Sequence, residues 1–157
     1  MHIRAPHIAE WLADHEHWVL DVGYSREFDR LLGEFPWAPS RLRWSNVPHV
    51  RIYLPEEDGT PNDFWERFCE TPAGRHEYIF LMYSAKEPGI VCRTRDAILD
   101  LDLLYSSAPG ARYFCGAEAE KGIPVPRFMD FAEYDGLDLV TAYFPAERNK
   151  NEPYVHD

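Results

Sequence analysis

Apolar positions along this chain recur at two periods, and the changes from one to the other lay out its elements. From Pro6 to Trp18, the residues Ile8, Trp11, Leu12 and His15 fall at helical spacing, while Glu10, Asp14 and Glu16 lie mostly off that stripe. Pro6 suits the first turn of such a helix, where its missing N–H is no loss. Residues 18–22 then read as a short strand that Gly23 ends. Ser25, an N-cap type, opens a second helix with Phe28, Leu31, Leu32 and Phe35 as its buried stripe, and Pro36 and Pro39 stop it. Residues 41–46 and 49–54 look extended. Val50, Ile52 and Leu54 alternate with Arg51 and Tyr53, the period of a half-buried strand, and Pro48 marks a bend or an edge. A third helix starts with Thr60 as N-cap, Pro61 at its first position and Asp63 in its first turn; Phe64, Trp65, Phe68 and Cys69 form its apolar face.

The run from Tyr78 to Tyr83 is apolar at every position, which predicts a central strand buried on both faces, with residues 89–92 beside it. Residues 96–105 fit a helix begun by Thr94 or Asp96, although Leu99, Leu101 and Leu103 also alternate with Asp100 and Asp102. Strand signals return at Arg112 to Cys115 and on both sides of Asp135-Gly136. That pair predicts a hairpin, because a type I′ turn needs positive φ at both central residues. With a two-residue loop, counting outward sets Glu133 opposite Asp138 and Asp130 opposite Thr141. Together these elements predict one α+β domain over residues 1–144, a mostly antiparallel sheet of about five to seven strands with about three to four helices packed on it. Residues 145–157 read as a polar tail.

Composition adds a core and a charge. Of 157 residues, 45% are hydrophobic and 15% aromatic, which excludes a disordered chain. There are 27 acidic against 16 basic side chains, a net charge of -11 that is spread through the sequence instead of forming an acidic tail. Such a field repels phosphate backbones and anionic membranes and favours the approach of a basic protein. No nucleic-acid partner and no membrane partner are therefore expected, and the oligomeric state is left open. The three cysteines, Cys69, Cys92 and Cys115, are too few and too odd for a disulfide framework and read as free core thiols. With no apolar stretch long enough for a signal peptide or a membrane span, the expected address is the cytoplasm.

Candidate chemistry is sparse. His15 and His17 point about 200° apart on a helix and cannot share an ion, so no metal is expected. No Gly-rich phosphate loop and no nucleophile motif is present, so no cofactor is expected either. The carboxylates are the feature left to explain. Glu56, Glu57 and Asp58 form an acidic loop, and Glu133, Asp135 and Asp138 surround the hairpin turn, where like charges facing each other need a counter-charge. These six are the candidate partner-binding residues, with Trp37, Trp44 or Tyr53 as aromatic anchors. Asp130, on an apolar face of the hairpin, needs a hydrogen-bond donor such as Thr141 or an arginine. The acidic, compact profile is shared by bacterial immunity proteins and by inhibitors that mimic nucleic acid. It points to a non-enzymatic module that neutralises a basic partner.

A second reading comes from three segments: Ile98 to Tyr105, Ala111-Arg112-Tyr113-Phe114-Cys115 and Leu139-Val140-Thr141-Ala142-Tyr143. In that order they resemble the helix–strand–strand ending of nucleases of the barnase/RelE-like class, over about the last third of the chain. That resemblance implies a small RNA-cleaving enzyme with Thr141, Arg112 and His76 as its catalytic positions. The net charge opposes an RNA substrate.

Overall fold

Alternation along the strands decides which layer each residue joins. The computed structural model describes residues 6–56, 62–106 and 110–145, with side chains from residue 8 onward. Among them, β1 (His17–Leu20), β2 (His49–Tyr53), β3 (Tyr78–Leu81), β4 (Gly89–Arg93), β5 (Arg112–Ala119), β6 (Pro124–Tyr134) and β7 (Leu139–Tyr143) form one antiparallel sheet. Its spatial order is β1-β4-β3-β5-β6-β7-β2. The helices are α1 (Pro6–Ala13), α2 (Val22–Leu32), α3 (Phe64–Cys69), and α4 (Thr94–Ala97) with α5 (Leu101–Leu104), the last two joined by a 3-10 turn over Ile98–Asp100. The architecture is α+β.

Both faces of the sheet are covered. On one face Ile52, Ile79, Leu81, Ile90, Phe114 and Val140 pack under α1, α3 and the α4–α5 run. On the other, Phe80, Val91, Tyr113, Cys115 and Phe131 pack under α2 and the irregular arm that carries Leu42, Trp44 and Val47. Ile79 and Phe80 are both fully buried, one to each side, and each such side chain contributes on the order of 2 kcal/mol of transfer free energy. This explains why β3 is apolar at consecutive positions. The indole N–H of Trp11 donates to Asp100 Oδ2 at 2.8 Å, tying α1 to the α4–α5 run.

Several boundaries differ from the sequence pattern. α2 begins at Val22, not at Ser25, because Asp21 is its cap: the Asp21 carboxylate accepts from Gly23 N at 2.9 Å. Ser25 is instead buried inside the helix. Residues 41–46 are not a strand; they form an isolated bridge between Trp37 and Leu42 and a 3-10 turn over Trp44–Asn46. Trp44 is 2% exposed, so it is a core residue and no anchor for a partner. α3 starts at Phe64, whose N–H is received by Asn62 Oδ1 at 2.9 Å; Thr60 and Pro61 lie outside the described residues.

The central pair β5–β6 is irregular. Cys115 faces Phe131, but the next residue, Gly116, faces Arg127, so Phe128, Met129 and Asp130 are extra residues on β6. A bulge of this kind bends its strand and re-aims side chains. β7 pairs β6 only at Ala132 to Tyr134, so the earlier half of β6 runs on past it. No helix among the described residues is long and apolar enough to cross a membrane. Cys92 and Cys115 are buried free thiols and Cys69 is a half-buried one.

Candidate functional site at the hairpin end

The β6–β7 hairpin forms, in a register unlike the two-residue turn. Tyr134 faces Val140, Glu133 faces Thr141 and Ala132 faces Ala142. The cause is the Asp135 side chain. Its Oδ1 accepts from the backbone N–H of Leu137 at 2.8 Å, Asp138 at 3.0 Å and Leu139 at 3.0 Å, while Asp135 N donates to Leu139 O at 3.0 Å. One carboxylate oxygen thus organises a wider turn, and Gly136 supplies the positive φ of 90° it needs. The Tyr134 hydroxyl donates to Leu137 O at 3.1 Å and fixes the tip from below.

Three consequences follow for the predicted partner-binding residues. Asp135 and Asp138 do sit together at the tip, with Asp138 exposed. Leu54 N donates to Asp138 O at 2.8 Å, which brings the end of β2 alongside and sets exposed Glu56 two residues beyond that contact. Glu57 and Asp58 lie outside the described residues. Glu133, by contrast, is 0% exposed. It accepts from the Tyr113 hydroxyl at 2.5 Å and pairs with Arg41 at 2.6 Å. Burial pushes its carboxyl above the ordinary range, against the Tyr113 hydrogen bond and the Arg41 charge, which pull it down. It neither faces Asp138 nor touches solvent, so it belongs to the interior and not to a partner surface.

Three residues that were not among the sequence candidates, Asp102, Leu103 and Leu137, complete this end of the molecule. Asp102, exposed on α5, joins Asp135 and Asp138 around the Tyr134 hydroxyl; burial first, then these three charges, pushes that phenol up to about 12. None of the three carboxylates makes an ion pair with a described cation. Leu137 stands 79% exposed at the tip and Tyr53 57% exposed on the adjoining edge strand. Leu103, next to Asp102, is 38% exposed. The end is therefore a rigid apolar knob with a carboxylate rim. Leu137 carried a signal in the sequence, as an apolar residue in a turn that otherwise takes polar ones.

His76, Arg112 and Thr141 do not meet. The His76 ring rests on Gly116, where a Cβ would overlap it, and its Nε2 lies 2.6 Å from Asp130 Oδ2, with Nδ1 3.6 Å from Glu118 Oε1. The donor that Asp130 requires is thus His76, not Thr141. Arg112 opens β5, four residues or roughly 13 Å along the strand from that point. Thr141 is 1% exposed on the opposite face, across from Glu133, and its hydroxyl has no partner among the described residues. Arginines recur two apart in the sequence, at 41 and 43 and at 93 and 95, and three of these four are engaged within the molecule. Arg41 holds Glu133, Arg93 holds Glu16 and Glu77, and Arg95 lies 4.6 Å above the Trp65 ring. Comparisons with protein-family models, with curated proteins and with solved structures find no match to this chain.

Proposed function

We propose that this protein is a non-enzymatic binding module that neutralises or inhibits a basic protein partner, and that it does so through the hairpin end. The observation that carries this reading is the grouping of Asp102, Asp135 and Asp138, without ion pairs to described cations, about the Tyr134 phenol that hydrogen-bonds the backbone of exposed Leu137. An apolar anchor in a charged rim is the usual anatomy of a binding hot spot, and pre-ordering the tip lowers the entropy lost on association. The overall charge of -11 would speed encounter with a cationic surface and make it sensitive to salt. The alternative, a nuclease-like enzyme of the barnase/RelE-like class, would need His76, Arg112 and Thr141 in one cleft, and they lie apart.

Capture experiments with the full chain test the proposal. The native protein and an Asp102→Lys/Leu137→Ala/Asp138→Lys variant, all three positions being exposed, would be immobilised and exposed to host lysate at low salt. The native chain should retain a basic protein that rising salt releases, and the variant should bind it at least about tenfold more weakly, the loss of roughly 1.4 kcal/mol. Recovery of no basic protein, or equal retention by both chains, would overturn the reading.

A further inference from the structure

A cleft of about 500 Å³ opens where β7 ends and β6 continues, roughly 16 Å along β6 from the hairpin tip. Its walls are Pro72, Met129 and Tyr143, and its polar groups are Arg75, His76, Glu118 and Asp130. Three departures from regular structure make it. Gly116 gives up its side chain so that the His76 ring can lie on β5. The bulge at Phe128–Asp130 turns Asp130 toward that ring. β7 pairs β6 no further than Ala132, so no described strand lies beside the earlier half of β6 on that side.

We infer that this cleft is a socket for a long basic side chain, lysine or arginine, of the partner protein; the inference rests on the basic-partner reading above. Asp130 Oδ2 is held by His76, and its Oδ1 makes no hydrogen bond to a described residue. Glu118 is half exposed on the other side of the ring. Arg127 is shared between Glu118 and Glu120; with Asp130 and Arg75 counted, three carboxylates face two guanidiniums and leave one formal negative charge around the cleft. Arg75 at the rim is turned toward Glu70 O, to which it donates at 3.1 Å. Apolar walls leading to carboxylates match the anatomy of lysine and arginine, whose methylene stems pack on apolar surface while the head reaches polar groups. Both nitrogens of His76 face carboxylates, so the ring positions Asp130 and has no nitrogen directed at a substrate proton. An anionic ligand would meet two carboxylates and is disfavoured.

The test is an NMR titration of the full chain, following the His76 ring and the Met129 methyl. The probes are N-acetyl-arginine amide, N-acetyl-lysine amide, and uncharged N-acetyl-norleucine amide. The cationic probes should give saturable shifts at both reporters, in the millimolar range that one ion pair and a packed stem support. Those shifts should weaken at least fivefold in Glu118→Gln and Asp130→Asn. Glu118 is on the surface, so its variant tests the socket even if Asp130→Asn disturbs the fold. Absent shifts, equal shifts with the norleucine probe, or unchanged binding in Glu118→Gln would overturn the socket. Capture of a basic protein by a chain whose cleft ignores the probes removes the socket and keeps the module. Probe binding without any captured basic protein keeps a cation-accepting socket and removes its assignment to a partner.

Discussion

Glu133 shows what the sequence pattern conceals at the scale of single residues. Alternation along β6 separates it from Ala132 and Tyr134, and in a sheet with one wet face it would be in solvent. Here both faces are covered, so the carboxylate is inside and Tyr113 and Arg41 are recruited to it. Replacing it by alanine leaves a buried hydroxyl and an arginine without their acceptor and should cost about 2–4 kcal/mol, measured by urea denaturation. Glu133→Gln should cost less, and comparing it with the native chain isolates the titration. Because the folded pKa is raised above the ordinary 4.5, the contribution of Glu133 is fully present below that value and is lost as pH rises through the folded one. The stability of the native chain relative to Glu133→Gln should therefore fall as pH is raised across the mildly acid range. A difference that is flat or grows with pH would show that burial does not dominate. Gly116→Ala probes the opposite case, a side chain that cannot be added. It should destabilise by about 1–3 kcal/mol and shift the His76 ring resonances, since the new methyl occupies the ring's place.

At the scale of elements, legibility followed whether the decisive contacts were local or distant. β3 was readable because burial on both faces makes every position apolar, and the α4–α5 run was readable because Ile98, Leu101 and Leu104 keep a helical stripe through its 3-10 turn. The hairpin was readable as a turn but not in register. Asp-Gly signals the reversal, whereas the loop length depends on which amides the Asp135 oxygen collects. Asp135→Ala removes the acceptor of three N–H groups and should lower stability by about 1–3 kcal/mol, with faster amide exchange at Leu137, Asp138 and Leu139 as the diagnostic. The bulge at Phe128–Asp130 is not specified by the pattern: polar residues fall three apart at Arg127, Asp130 and Glu133, which breaks the alternation without saying where extra residues sit. The cleft it builds was therefore invisible, although His76 itself had been singled out. The prolines at 124 and 126 do have a clear reading: they lie on the part of β6 that, among the described strands, pairs with β5 alone, where lost N–H donors are tolerated.

For the molecule as a whole, the thiols offer a direct measure of how completely the two cores close. Burial raises Cys92 and Cys115 well above the ordinary thiol range, and Cys69 less so, with Arg95 pulling against it. A thiol-reactive reagent should modify one cysteine per folded chain, slowly, and three in denaturant; rapid labelling of Cys92 or Cys115 under native conditions would mean that the sheet opens. The strand order has a consequence for synthesis. β2, built from residues 49–53, pairs among the described strands only with β7 at 139–143, and Arg41 on the neighbouring arm finds Glu133 only when β6 exists. Synthesis must therefore pass residue 143 before that edge of the sheet can close. Until then the apolar side chains of residues 42–52 have no permanent shelter. Nascent chains stalled before residue 139 should be digested by protease throughout this stretch, while chains extended past residue 143 and clear of the exit tunnel should resist.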